Sequence, residues 1–220
     1  MFGSDMADTH LHSALYPRSS RSTWTAHLAS HLNYHYLCYA KPGSGNTQIM
    51  ERVLSQAATN EHALFVIGWT WIDRFDYVNS DDPTYRWQSI MPVDTTDISK
   101  VYYRDLHSEY RDKLSTLANM RLVIDVLKDK GCPFLMTYMD ELTFDKTYNT
   151  TPAVTDLQDY VQPYMTRWED KNFLQWCRKY GYPESSTQHP LEDAHRAAGD
   201  YMIKVFDTKN ISDPTQQALS

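Results

Sequence analysis

The chain has 220 residues, of which 41% are hydrophobic and 22% are charged, and its formal net charge is −7. This balance is ordinary for globular proteins and excludes a disordered chain. The acidic surplus argues against a nucleic-acid-binding surface, which needs clustered Lys and Arg.

Short apolar runs alternate with longer stretches of helical periodicity. The runs 34–40, 63–68 and 133–138 have the length and continuity of strands that are buried on both faces. The polar, proline-bearing stretch 75–97 is predicted to be a long loop, and 140–170 to be irregular with short helical pieces. Apolar spacing and end signals predict helices over residues 23–32, 46–59, 99–130, 172–180 and 190–206.

Strand–helix alternation of this kind predicts a parallel sheet with helices on both faces, because crossovers between parallel strands are right-handed. We therefore expect one flavodoxin-like, three-layer α/β/α domain over residues 1–207 and a loose tail over 208–220. Ligand sites in such sheets lie at the carboxyl ends of the strands. The segments Gly43–Asn46 and Gly68–Thr70 and the turn after Met139 fall there.

The cysteines bear on metal sites and on compartment. Cys38, Cys132 and Cys177 stand far apart and lack CxxC spacing, which argues against a disulfide framework or a zinc site. We expect no metal and no cofactor. No apolar run approaches the roughly 18 residues of a membrane span, and the N-terminus has no basic-then-apolar signal segment. The sequence thus predicts no membrane partner and no signal peptide.

The glycine-rich turn Gly43-Ser44-Gly45-Asn46 joins a predicted strand to a predicted helix. A helix N-terminus offers free N–H groups, so the turn can serve as a cradle for an anion or an oxyanion. The alternative is a tight turn in which Ser44 caps the helix. The turn lacks the Gly-Lys-Ser/Thr ending of a P-loop.

Aromatic and charged residues follow the second predicted strand. Trp69 and Trp71, together with aromatic residues of the long loop, either pack that loop onto the sheet edge or form a stacking platform for a sugar. Asp73 and Arg74 form either an ion pair that anchors the loop or a contact to substrate.

Four short segments stand in order along the chain: Phe2-Gly3-Ser4-Asp5, Tyr39 to Asn46, Val66 to Arg74, and His189-Pro190 with Ala194-His195 just after. In order and spacing they resemble the motif blocks of the SGNH/GDSL hydrolase superfamily, and more closely its divergent members in bacteriophage genomes. Only Met1 and Phe2 precede the first block, so the first strand of that fold is expected to be short.

The resemblance implies a serine hydrolase site. Its nucleophile falls on Ser4 if the first block is shifted by one residue and on Asp5 if it is aligned without a gap, and Ser44 is a further candidate. His189 matches the general base. Gly43 and Thr70 match the oxyanion hole, and we expect them to converge with His189 on one cleft. Further candidate contacts to substrate are Asn46, Arg74, Trp69 and Trp71.

The acid of the triad has no obvious counterpart. The family places it two or three residues upstream of its histidine, whereas Ser185–Gln188 contains no acidic residue. Glu184 could serve only after a loop rearrangement. Losing the acid of a serine triad costs about 10⁴ in turnover. The sequence therefore predicts esterase activity that is weak or absent.

Two functions fit this pattern. The first is an esterase or deacetylase that acts on a carbohydrate-linked ester through Ser4 and His189. The second is a catalytically degenerate SGNH-like module that serves as a structural or host-interaction component of a phage virion, with virion proteins as partners. The resemblance implies a location in the cytoplasm of the producing cell or in the virion.

Overall fold

The structure is a computed structural model that describes residues 5–8, 19–60, 62–79 and 86–209. Short turns of other helix types lie at Tyr102–Leu106 (π), Glu141–Thr143 (3-10) and Gln162–Tyr164 (3-10). The main elements, in chain order, are α1 (Trp24–His31), α2 (Asn46–Ala57), β1 (Phe65–Trp69), β2 (Phe75–Val78), β3 (Trp87–Ile90), α3 (Asp97–Val101), α4 (Glu109–Asp129), β4 (Phe134–Tyr138), α5 (Pro152–Val161), α6 (Phe173–Lys179) and α7 (Glu192–Lys209).

The protein is mixed α/β, as predicted. The described chain forms two compact units, which we call unit 1 and unit 2. Unit 1 comprises the described residues up to Pro42 and from Thr166 onward, and unit 2 comprises those of Gly43–Met165. The predicted helices over 23–32, 46–59, 172–180 and 190–206 are confirmed as α1, α2, α6 and α7. Of the tail predicted over 208–220, residues 208 and 209 belong to α7, and residues 210–220 lie outside the described residues.

The parallel sheet belongs to unit 2. β1 and β4 pair in parallel, from Phe65 opposite Phe134 to Trp69 opposite Tyr138. All residues of β4 are buried. A continuous apolar run is the sequence that a strand covered on both faces requires, so the runs 63–68 and 133–138 are confirmed as parallel strands.

Helices α2, α4 and α5 supply the rest of the unit 2 core. In α4, the fully buried Leu117, Met120, Ile124 and Leu127 recur at helical spacing and pack with β4. Lys113 of the same helix is also fully buried. Its Nζ donates to the backbone oxygens of Asp145 and Tyr148, both at 2.6 Å, and burial lowers its pKa. The ammonium group thus fastens the loop after β4 to α4.

Unit 1 is built on the packing of α1 against α7. The indole of Trp24 meets that of Trp168 edge-on, with ring centroids 5.4 Å apart, and Trp168 Nε1 donates to the oxygen of Ala198 at 3.3 Å. A Cβ at Gly199 would lie 2.5 Å from Cδ2 of His27. Because only a glycine leaves that space open, Gly199 sets the close approach of the two helices.

The strand predicted over residues 34–40 is wrong. These residues have no regular structure and form no ladder with any described residue. Tyr34, Leu37 and Tyr39 are 50%, 56% and 49% exposed. Strand preference depends on cross-strand packing and burial more than on residue type, so an aromatic-rich sequence alone did not make this segment a strand.

The loop predicted over residues 75–97 is also corrected. β2 and β3 form an antiparallel pair, with Phe75 opposite Ile90 and Val78 opposite Trp87. Both strands are only four residues long. In β2 the order Phe75-Asp76-Tyr77 alternates aromatic and polar residues, which is a signal for a half-buried strand.

The long helix predicted over residues 99–130 is interrupted. α3 runs into the π-helical turn, and His107 then adopts an extended conformation. The hydroxyl of Ser108 accepts from the N–H of Arg111 at 3.3 Å and begins α4 as its N-cap. An N-cap serine satisfies an otherwise unpaired amide, so the break occurs where the sequence offers a new helix start.

Candidate active site

His189 lies at the end of a tight turn in unit 1. The N–H of Ser185 donates to the oxygen of His189 at 2.8 Å, and the N–H of Gln188 donates to the oxygen of Ser185 at 2.9 Å. Gln188 has a φ of 63°, in the left-handed region. The turn leaves the His189 side chain 63% exposed.

Asp5 supplies the carboxylate that the sequence appeared to lack. Nδ1 of His189 lies 2.6 Å from Oδ2 of Asp5. A carboxylate only accepts, so Nδ1 carries the ring proton. Nε2 has no hydrogen-bond partner among the described residues. The prediction of an imidazole without an acid is therefore wrong.

Glu184 does not take that place. Its carboxylate accepts from Nε and Nη2 of Arg178, at 2.8 and 3.0 Å. The acid of the pair comes instead from 184 positions away in the sequence. No spacing rule around His189 could have pointed to Asp5, although Asp5 was considered as a nucleophile.

The Asp5 carboxylate is held in its ionised form. The hydroxyls of Ser185 and Thr187 donate to Oδ2, from Ser185 at 2.6 Å. These bonds, with a smaller part from His189, lower the pKa of Asp5 from 3.8 to about 2 against the opposing effect of burial. An oxygen that accepts from three donors is a poor nucleophile, so the geometry makes Asp5 the partner of the histidine.

This contact predicts a pH dependence of stability. A carboxyl whose pKa is lower in the folded protein stabilises the fold above its unfolded pKa, and the effect disappears as pH falls through the folded pKa. The free energy of unfolding of wild type should exceed that of Asp5→Asn by a constant amount above about pH 5. The difference should become smaller as pH falls from about 5 through about 2. Urea unfolding across this range measures it, and a pH-independent difference would contradict the contact.

The other candidate nucleophiles are Ser4 and Ser44. Ser4 lies outside the described residues. Ser44 is 5% exposed, and its hydroxyl donates to Oε1 of Gln48 at 2.8 Å and accepts from Nη1 of Arg52 at 3.0 Å. It is not the helix cap that was predicted, because Gly45 takes the N-cap position of α2. Its hydroxyl is therefore engaged within unit 2.

The glycine-rich turn does cradle an anion, and that anion is a side chain of the protein. Asp76 of β2 accepts from the N–H of Gly45 at 2.8 Å and from the N–H of Gln48 at 2.7 Å. The hydroxyl of Ser89 donates to the same carboxylate at 2.5 Å. A Cβ at position 45 would lie 2.6 Å from Oδ2 of Asp76. Gly45 is thus needed for the carboxylate to reach the N-terminus of α2.

Asp76→Ala should lower the free energy of unfolding by about 2 kcal/mol, the upper end of the range for N-cap removal. The reason is that two amide N–H groups at the start of α2 lose their acceptor. Urea denaturation measures the change. As a control, Asp156→Ala removes an exposed carboxylate 3.6 Å from Arg121, and such surface pairs contribute about 0–1 kcal/mol. Equal effects of the two variants would contradict the capping role.

Asn46 joins the start of α2 to the end of β1. Its Oδ1 accepts from the N–H of Thr70 at 2.9 Å, and its Nδ2 donates to the oxygen of Thr70 at 3.3 Å and to Oγ1 of Thr116 at 3.1 Å. Asn46 is 4% exposed and Thr70 is 9% exposed. The backbone N–H of Thr70 is therefore already engaged, and Asn46 has a structural role.

The residues after β1 differ in exposure. Trp69 is fully buried, and its indole N–H points at the sulfur of Met136 at 3.4 Å, whereas Trp71 is 40% exposed. Nη1 of Arg74 donates to the oxygen of Ser44 at 3.3 Å. Burial, with the nearby charge of Asp140, raises the pKa of Asp73. Of the four candidate contacts to substrate, Trp71 is the most exposed.

Gly43 and Thr70 belong to unit 2, and His189 belongs to unit 1. Their convergence on one cleft therefore stays a prediction. Among the described residues, no group of three or more His, Cys, Asp and Glu side chains is placed to hold a metal ion. Nor does any helix in the described ranges combine the length and the apolar character needed to cross a membrane.

Comparison of the chain with protein-family models, with curated proteins and with solved structures finds no match. The likeness to SGNH hydrolases consequently rests on the sequence motifs, and the chemistry must be argued from the site itself.

Proposed function

We propose that the chain is an SGNH-like protein with a flavodoxin-like α/β fold that hydrolyses a carbohydrate-linked ester. In this proposal His189 is the general base, Asp5 is its acid partner, and Ser4 is the nucleophile. The observation that supports it is the 2.6 Å contact between Nδ1 of His189 and Oδ2 of Asp5. A base whose second nitrogen is fixed by a third group is the arrangement that activates a serine.

The chemistry follows from the two ring nitrogens. With the proton on Nδ1, the lone pair of Nε2 takes the proton of the Ser4 hydroxyl as its oxygen attacks the acyl carbon. The imidazolium that forms is stabilised by Asp5 and returns the proton to the leaving alkoxide. Water, activated in the same way, then releases the acid from the acyl-serine. Exposure of the His189 side chain gives Nε2 access to a substrate from solvent.

Hydrolysis of p-nitrophenyl acetate by wild type and by His189→Ala tests the proposal. The expected result is that the variant loses the hydrolysis that wild type shows, while Ser4→Ala loses it as well. His27→Ala is the matched control, because His27 is also a partly exposed histidine with an Asp partner, at 2.8 Å from Asp200. Equal rates in wild type and His189→Ala would refute the catalytic function.

One observation favours the second candidate, a degenerate SGNH-like module of a phage virion. The resemblance places part of the oxyanion hole at Gly43, and the neighbouring amides of Gly45 and Gln48 are bound to Asp76. These two amides are therefore not available to an oxyanion. If wild type shows no hydrolysis above buffer, then virion proteins become the expected partners, and co-purification with assembled particles would support that function.

A further inference from the structure

We propose that the turn 185–189 is a receptor for a carboxylate, in which Ser185 and Thr187 are positioning residues that seat Asp5 on His189. The inference deepens the proposed function and rests on it for its catalytic consequence. The binding part stands on the geometry of the turn alone.

The Ser185 hydroxyl is oriented by the backbone of the turn. Its oxygen accepts from the N–H of Thr187 at 3.3 Å and from the N–H of His189 at 3.2 Å. A hydroxyl has two acceptor lone pairs and one donor proton. With its acceptor sites used by the backbone, Ser185 directs its proton to Oδ2 of Asp5, at 2.6 Å.

Thr187 completes the receptor from the other side. Its hydroxyl donates to the same Asp5 oxygen, and its oxygen lies 2.9 Å from Nδ1 of His189. Asp5 Oδ2 therefore meets two hydroxyl protons and one imidazole proton at a single point. Three convergent donors on one short turn are what a carboxylate oxygen binds.

The receptor matters because Asp5 is far from the turn in the sequence, 184 positions before His189. The segment that carries Asp5 is also held by the N–H of Ala7, which donates to Oε1 of Glu192 at 2.9 Å, and by Asp8, which accepts from the N–H of Arg21 at 2.7 Å. Those contacts bring the segment close, but they do not orient the Asp5 carboxylate. Ser185 and Thr187 orient the Asp5 carboxylate. A displacement of a catalytic group by about 1 Å can lower the rate 10²-fold.

Rescue by formate tests the receptor directly. Asp5→Gly removes the carboxylate and leaves a space of about the size of formate. The ring resonances of His189 are followed by NMR during titration with sodium formate, against sodium chloride at equal ionic strength. We expect a saturable formate-specific shift in Asp5→Gly, at least tenfold weaker binding in Asp5→Gly/Ser185→Ala/Thr187→Val, and retained binding in Asp5→Gly/Thr187→Ser, which keeps the hydroxyl.

Equal formate responses in Asp5→Gly and in the triple variant would overturn the receptor, as would no saturable response in Asp5→Gly. The Asp5→Gly/Thr187→Ser variant shows whether a weak formate response of the triple variant reflects the lost hydroxyl or a damaged fold. In the intact chain, Ser185→Ala/Thr187→Val should lower kcat by about 10²-fold with KM unchanged. Formate binding without hydrolysis in wild type would refute the proposed function and leave the receptor standing. Hydrolysis by wild type without formate binding by Asp5→Gly would refute the receptor and leave the proposed function standing.

Discussion

Asp5→Asn is expected to lower the turnover of ester hydrolysis by about 10⁴, the loss seen when the acid of a serine triad becomes an amide. The reason is the tautomer of His189. An amide N–H facing Nδ1 would favour the ring form that carries its proton on Nε2, and Nε2 is where the base needs its lone pair. Initial rates on p-nitrophenyl acetate measure the effect, and KM should change little because Asp5 touches the histidine and not the substrate.

The matched control for this variant is Asp200→Asn. Asp200 also holds a histidine ring nitrogen, that of His27 at 2.8 Å, and lies in the same unit. This control should leave turnover unchanged. If Asp5→Asn and wild type hydrolyse the ester at the same rate, then Asp5 is a structural partner of the turn and the dyad is not catalytic.

The elements that the sequence predicted well are those in which the order of apolar residues within the element itself shows that it is buried. The run 133–138 is mostly apolar, and every residue of β4 is buried. The run 63–68 is apolar as well, although β1 is buried only in part. The segment 34–40 is rich in Tyr and is no strand. A strand also needs a partner, which residue type does not specify. The antiparallel pair of β2 and β3 was missed, although Phe75-Asp76-Tyr77 in β2 alternates aromatic and polar residues.

The site was harder to predict because its contacts join distant parts of the chain. The turn that carries His189 was found by motif, but its acid lies in the N-terminal segment, where a lone Asp looks like a turn residue. Asp76 reaches Gly45 across 31 positions. One signal was available for it: the N-cap position of α2 is a glycine with no side chain to cap the helix, which calls for an acceptor from elsewhere.

Asn46→Ala should produce the largest loss of stability among these variants, about 3 kcal/mol in the free energy of unfolding. The substitution leaves the buried N–H and C=O of Thr70 without their partner, and an unsatisfied buried polar group costs about 1–3 kcal/mol. It also removes the donor to Thr116, at 3.1 Å. Because the side chain joins α2, β1 and α4, its loss should loosen the end of the parallel sheet and not only the helix start.

Urea denaturation of Asn46→Ala beside Asn119→Ala measures this. Among the described residues, the side chain of Asn119 makes one hydrogen bond, from Nδ2 to Oγ1 of Thr47 at 3.2 Å, in a partly buried place. Its loss should cost less than about 1 kcal/mol. A double-mutant cycle with Thr116→Val adds a test of the link to α4. Thr116→Val should cost less in the Asn46→Ala background than in wild type, because the bond between the two side chains is already gone. Additive effects would show that Asn46 acts on β1 alone, and a loss no larger than that of Asn119→Ala would refute the joining role of Asn46.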